Sequence, residues 1–453
     1  MEFCDKEQRT MFYRKIYNQM KAWKETWGGK SALLIEGARR VGKSTVVEEF
    51  AKNEYESYLL IDFSIARPEV FKLFEDISDL NFLFLRLKVM YQVQLEERKS
   101  VIIFDEVQFC PRARQAIKHL VKDGRYDYIE TGSLISIHRN VKDILIPSEE
   151  MRLTMVPMDF EEFLVATGKG SLPGLLREVL KEGKPLGEGT HRYLMRQFRL
   201  YMLVGGMPQA VETFIRTNDF HNVDDIKRAI LDIYEDDFRK LDDSGNMTRI
   251  FNAIPSQLNK NASRYQISSV LPNERAVTMA RQIYEMQESK TVLISYAVTD
   301  PGFGIGAARD LYRYKIFLAD TGLFVTLMFM DTDFTKNIIY EKLLSDKNRA
   351  NLGYLYENMT AQMLTAMGFN LYYYTFPKEN SRYFYEIDFM IPDINKVIPV
   401  EVKSSGYKAH SSLDAFQKKY SDRISRRFLF YTKDFQKDKD IYCYPMYLVP
   451  FLK

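Results

Sequence analysis

Eight consecutive residues, Gly37-Ala38-Arg39-Arg40-Val41-Gly42-Lys43-Ser44, have the types and spacing of a loop built to hold a polyphosphate. The two glycines let the backbone turn tightly around an anion, so that successive N–H groups and the N-terminus of a following helix face its oxygens. Lys43 would then reach the terminal phosphates and the Ser44 hydroxyl would ligate magnesium. With Thr45 next in line, the cofactor-binding set is Gly37, Ala38, Arg39, Arg40, Val41, Gly42, Lys43, Ser44 and Thr45. A glycine-bearing turn with a coincidental lysine is the alternative, and the flanks argue against it. SALLIE before the loop reads as a buried strand, and STVVEEFAKNEY after it has helical spacing.

A second apolar run, VIIF, ends in Asp105-Glu106. Asp105 would hold the magnesium through water, while Glu106 would orient and polarise the attacking water as the catalytic group. A third run ends in Thr131-Gly132-Ser133, where the Ser133 hydroxyl is placed to face the γ-phosphate. The cofactors expected are ATP and Mg2+, with Ser44 and Asp105 as metal ligands and Lys43, Glu106 and Ser133 in catalysis.

Far downstream, YEIDFMI and VIPVEVKSS read as adjacent strands carrying Asp388, Glu401 and Lys403, and the two acids lie 401 − 388 = 13 residues apart. Alternation puts Glu401 and Lys403 on one face, and a hairpin partner can set Asp388 opposite them. This is the D-x(n)-E-x-K pattern of PD-(D/E)XK nucleases, and Glu357 on the preceding helix matches a helical glutamate that many of them carry. Glu357, Asp388 and Glu401 would bind metal and Lys403 would activate water. Cross-strand salt bridges produce the same pattern, so a binding module without cleavage stays open beside the nuclease.

These residues need elements to position them. Alternating apolar runs and helical stretches up to about residue 165 predict a parallel sheet covered by helices. Helical segments punctuated by Gly and Pro follow, then helices before a β-hairpin bearing Arg309, Arg313 and Lys315, then a last α/β stretch. The chain therefore divides into 1–165, a P-loop ATPase core; 166–220, a helical lid; 221–335, a winged-helix-like domain contacting DNA or protein; and 336–453, an α/β endonuclease-like domain. At 453 residues the chain exceeds what one core covers. A formal charge of +3 on 64 basic and 61 acidic residues gives no general case for nucleic acid, so DNA binding would need local patches such as Lys418, Lys419, Arg423, Arg426 and Arg427. Three scattered cysteines and the lack of a long apolar run predict a cytoplasmic protein with no membrane contact.

GARRVGKS, VIIFDEVQ and YIETGS together resemble the P-loop, Walker B and sensor-1 elements of AAA+ ATPases. With VPMDFEEFL, YMLVGGMPQAV, ILDIYEDDFRK, YKIFLADTGLF and GYLYENMTAQML, nearly the whole chain is similar to a prokaryotic family of such ATPases with a C-terminal restriction-endonuclease-like domain. The resemblance implies that Gly206-Met207-Pro208 lies in the lid near the adenine, with a helix-breaking turn equally open; it leaves a homo-oligomer open, and Arg139 and Arg152 are only candidates for sensing a neighbour's nucleotide, solvated arginines being the preferred reading. Three functions follow: an ATPase acting on or with DNA, with metal-dependent cleavage left open; a nucleotide-dependent interaction switch that binds a protein or nucleic acid without cutting; and a small-molecule kinase, which Asp105-Glu106 and the long tail disfavour.

Overall fold

Short β-branched and aliphatic runs separated by amphipathic helices lay down the first sheet: β1 Ala32–Glu36, β2 Ser57–Asp62, β3 Ser100–Asp105, β4 Asp127–Gly132 and β5 Glu150–Thr154. The computed structural model describes residues 11–132, 148–260, 262–302, 304–330, 344, 353–404, 406 and 410–452, and the chain forms two units, Met1–Val156 and Pro157–Lys453. In the first unit all five strands run parallel in the order β2-β3-β4-β1-β5.

Period-2 alternation divides each strand between two cores. Leu33 and Ile35 pack with Met20, Trp23, Val46 and Phe50 from the helices Lys15–Trp27 and Lys43–Glu54. Leu34, Ile102 and Phe104 pack on the other side with Leu83, Phe84, Ile117 and Leu120 from Leu80–Tyr91 and Pro111–Asp123. Every residue of β1, β3 and β4 is buried, as expected of strands covered on both faces. Because the strands are parallel, the carboxyl ends of β1, β3 and β4 open on one edge, with β4 between the other two.

In the second unit, a helical series runs from Phe160–Ala166 to Phe220–Leu241, and shorter helices precede a β-hairpin, β6 Val292–Val298 and β7 Arg309–Leu318. The remaining strands are β8 Leu371–Pro377, β9 Phe384–Ile387, β10 Phe389–Asp393, β11 Lys396–Lys403, β12 Arg427–Tyr431, β13 Gln436–Asp438 and β14 Ile441–Pro445. Hairpin β6–β7 is antiparallel, but it is no free wing: β6 pairs in parallel with β8, giving a sheet ordered β7-β6-β8-β9. The other sheet is β10-β11-β12-β14-β13. Strands β9 and β10 flank Asp388, so the chain leaves one sheet and enters the other at that residue. Among the described residues no helix is long and apolar enough to cross a membrane.

A buried polar knot ties this unit together. Asp320 caps the helix Thr321–Leu327 by accepting from Leu323 N at 2.9 Å, and it also accepts from Gly206 N at 2.5 Å. Asn358 bonds both backbone groups of Leu318, and Gln362 accepts from Thr321 N and its hydroxyl. Gly206, expected near an adenine ring, is thus enclosed within the second unit, where its carbonyl also accepts from Met158 N at 2.7 Å.

Gly322 carries this crossing, because a Cβ there would stand 2.6 Å from the Gly205 Cα and the Val204 carbonyl oxygen. Gly322→Ala is expected to destabilise the second unit by about 2–4 kcal/mol, since backbone on both sides cannot give way. Gly174→Ala, in the helix Leu172–Glu182 with nothing within 4 Å of the added Cβ, should be neutral or stabilising by roughly 0.5–1 kcal/mol. Denaturant melts of both variants check the contrast; equal stability in the two would overturn it.

Candidate active site

Gly42 caps the helix Lys43–Glu54 in the left-handed region at φ 98°, which a side chain would strain, and this turns the helix N-terminus toward the loop. Gly37 is required for close approach: a Cβ there would meet the Met155 carbonyl oxygen at 2.3 Å. From the helix below, buried Arg14 donates to Val41 O at 2.9 Å and to Val156 O at 2.6 Å, fixing the far side of the loop. Ala38 and Val41 are buried, whereas Arg39, Arg40 and Thr45 are exposed.

Lys43 is only 5 % exposed, and its Nζ donates to the loop's own carbonyls at Gly37 and Ala38, both at 3.0 Å. Burial pushes its pKa below the usual ammonium range, while Glu106 and Asp105 pull it back up. Ser44 Oγ donates to Asp105 Oδ1 at 2.8 Å, so a hydroxyl and a carboxylate lie side by side. Burial raises the Asp105 carboxyl pKa, against the hydrogen bonds from Thr131 and Ser44. These are hard oxygen donors next to a helix N-terminus and a lysine, and they fit magnesium and a polyphosphate.

Strand β4 supplies the hydroxyl between them, at Thr131. Thr131 Oγ1 donates to Asp105 Oδ1 and accepts from Glu106 N at 3.2 Å. Ser133, to which the sequence reading gave that place, lies outside the described residues, as does Arg139. Glu106 adopts φ 52°, an uncommon conformation for a residue with a side chain, and its carboxylate accepts from the amide of buried Gln108. Arg152 is partly exposed and pairs with Glu150 at 2.9 Å. Arg14, Thr131 and Gln108 carried no distinct signal in the sequence beyond the threonine's place in the TGS run.

The second constellation converges in part. Asp388 Oδ2 accepts from Val402 N at 2.7 Å, and carboxylate oxygens of Glu357, Glu386 and Asp388 all lie within 4.8 Å of one another. Glu401 is buried and bonds Lys403 at 2.5 Å. Burial pushes both the Asp388 and the Glu401 carboxyl up, with Glu357 adding to the first and Lys403 opposing the second. Two participants are new. Alternation along Tyr385-Glu386-Ile387-Asp388 puts Glu386 on the face of Asp388, a signal the sequence held. Lys315 gave none, being brought in from β7 and 42 residues away from Glu357.

Lys315 corrects an expectation. Instead of facing DNA, it is 5 % exposed, and its Nζ donates to Glu357 at 2.6 Å and Glu386 at 2.5 Å. Burial disfavours this ammonium, yet Glu357, Glu386 and Asp388 outweigh that cost and hold its pKa well above the ordinary value. The acidic donors would suit a divalent ion, but the space between two of them already holds a cation, so the residues as arranged do not fit a metal. Arg313 donates to Thr375 Oγ1 at 3.2 Å, and Arg309 lies over the Tyr296 ring.

Thr131→Val removes the donor to Asp105 and leaves the Glu106 N–H without its acceptor. Turnover is expected to fall by about tenfold or more with nucleotide affinity little changed, since the contacts it loses order the acidic pair rather than the phosphate loop. Steady-state phosphate release and nucleotide titration separate the two quantities, and a variant with wild-type turnover would remove Thr131 from the site.

Residues 29–164 match the family model of an AAA domain, and residues 195–333 and 352–449 match two domains of unknown function, DUF8612 and DUF4143. Curated proteins give no match. Among solved structures, the Walker-type ATPase PABY2304 of Pyrococcus abyssi is 17% identical, with 70% of this chain and 96% of that one covered and a TM-score of 0.43. The Aeropyrum pernix ORC1 protein, solved in complex with DNA, is 12% identical, with 75% and 93% covered and a TM-score of 0.29. Residues 29–164 thus match an AAA domain, and they carry the parallel sheet and the phosphate-loop geometry of a P-loop fold.

Proposed function

We propose that the chain is a nucleotide-dependent interaction switch, in which the AAA domain binds and hydrolyses Mg-ATP and the C-terminal region binds a partner without cutting nucleic acid. The observation that carries the second half is Lys315, which places a fixed ammonium among the acids that a nuclease would reserve for metal. The basic run is mostly paired with acids. Arg427 pairs with Asp414 and Asp440, Arg426 with Asp393, Arg423 with Asp300 and Lys418 with Glu379, while Lys419 lies over the Tyr420 ring. Of these only Arg427 is buried with its charge matched inside the fold, whereas Lys418, Arg423 and Arg426 sit in exposed pairs that exchange readily, so the salt dependence of DNA binding decides their role. Leu311 and Tyr312 on edge strand β7, and Tyr383 and Phe384 at edge strand β9, are exposed apolar side chains at the two edges of one sheet that a protein partner would cover.

In the AAA domain, bound magnesium would neutralise the developing phosphate charge, with Ser44 and Asp105 to hold it. Lys43 has two carbonyl partners to exchange for phosphate oxygens, and the N-terminal N–H groups of the helix Lys43–Glu54 would face the same anion. Glu106 accepts a proton-bearing group at its carboxylate, now the Gln108 amide, and an attacking water would take that place. A second reading, DNA cleavage, is supported by the approach of Glu357, Glu386 and Asp388 oxygens to within 4.8 Å of one another, a group that does not include Glu401.

Lys43→Ala is expected to weaken ATP binding, and Glu106→Gln to keep binding while lowering turnover by about 100-fold. Nucleotide titration and phosphate release check both, and unchanged turnover in Glu106→Gln would take hydrolysis out of the reading. The full chain with Mg2+ or Mn2+ should leave duplex and single-stranded DNA intact and bind them with a shallow salt dependence. Cleavage that Asp388→Ala abolishes, or a steep salt slope, would replace the switch by a DNA-acting enzyme.

A further inference from the structure

The pocket around Lys315 has more polar capacity than its present contacts use. Across the sheet Ser295 stands opposite Lys315, Ala297 opposite Tyr373 and Thr375 opposite Glu386. Alternate residues of a strand share a face, so Ser295, Lys315, Tyr373, Thr375 and Glu386 line one side, and Glu357 reaches them from the helix Gly353–Ala366. The ammonium lies 5.6 Å from the centre of the Tyr373 ring. Ser295 and Tyr373 are fully buried, yet the Ser295 hydroxyl, the Tyr373 hydroxyl and Glu401 Oε2 have no hydrogen-bond partner among the described residues. Buried polar atoms are normally satisfied, so three such atoms beside one charge cluster mark a place for a polar occupant.

The present occupant of the space shared by the acids is a cation. Lys315 Nζ makes short charge-assisted bonds of 2.6 Å to Glu357 and 2.5 Å to Glu386. Asp388 offers a third oxygen within 4.8 Å of the other two. Hard carboxylates with adjoining hydroxyls are the ligand set of a divalent ion rather than of an anion.

We propose that Lys315 is a built-in substitute for a divalent cation: its ammonium holds the place between Glu357 and Glu386, beside Asp388, and the site takes up one divalent ion when that ammonium is removed. This rests on the reading of the C-terminal region as a binding module and gives its physical cause. The two fail separately, because DNA cleavage by the wild type sinks the binding-module reading, whereas metal uptake by the variants judges the pocket itself.

The test titrates nucleotide-free full-length chain with Mn2+, reading free ion by paramagnetic resonance. Lys315→Met should gain one Mn2+ site about 100-fold tighter than any in the wild type, the lower end of what an uncompensated buried charge is worth. Lys315→Arg, which keeps a cation in place, should gain none. The double variant Lys315→Met with Asp388→Asn should lose the new site and so separates it from weak binding at Ser44 and Asp105. Should Lys315→Met fold only poorly, Mn2+ added during refolding should restore its melting transition, and leave the melts of wild type and Lys315→Arg unchanged. Equal Mn2+ affinity in wild type and Lys315→Met, gained binding indifferent to Asp388, or no recovery on adding ion would each overturn the proposal.

Discussion

Charge held out of reach of water must be matched inside the fold, because an unpaired buried ion costs several kcal/mol, about as much as the whole chain has to spare. Both centres are arranged around that requirement. In the AAA domain, Lys43 is nearly buried and turns its donors onto the carbonyls of Gly37 and Ala38, while Asp105 collects hydroxyls from Ser44 and Thr131. These are provisional partners, neutral groups that leave full charges ready for a polyphosphate and its magnesium. In the second unit the partner of the acids is itself charged and covalently fixed, so the pocket around Lys315 is closed to exchange in a way that the phosphate loop is not.

What was legible in the sequence follows from how local each signal is. The phosphate loop, with Gly37, Gly42, Lys43 and Ser44 in one turn between a strand and a helix, is fixed by neighbouring residues and reads directly. Asp105 and Glu106 were singled out because parallel strands end on the same edge, where a ligand would meet the last residues of each run. Thr131 lies in the run the sequence singled out and bonds Asp105, while Ser133, to which the role was given, lies outside the described residues. Lys315 could not be found, since its role depends on β6 pairing with β8, a contact between segments that composition and periodicity treat as separate. For the same reason the hairpin read as an independent wing.

Asp388 shows how a motif can be kept by the fold's own needs. It stands where the chain leaves the sheet of β8 and enters that of β11, at the break between β9 and β10. Register carried one step beyond Phe389↔Val400 sets Asp388 opposite Glu401, and its carboxylate takes the Val402 N–H at 2.7 Å. A side chain thereby satisfies a backbone donor at a point where the ladder changes partners, work that an apolar residue there would leave undone. An acid at this position is accounted for before any catalysis is invoked.

The charges of the pocket then decide between the remaining roles. Four acids, Glu357, Glu386, Asp388 and Glu401, meet two lysines, Lys315 and Lys403, each already bonded at 2.6 Å or less. Burial and Glu357 push the Asp388 carboxyl well up despite Lys315, and burial raises Glu401 against Lys403. Lys315 and the Val402 N–H answer these acids from within the fold. A nuclease centre keeps its carboxylates for an ion that arrives from solution. The fold spends those carboxylates on its own lysine and backbone, and that is the physical reason to read this half of the chain as a surface that binds.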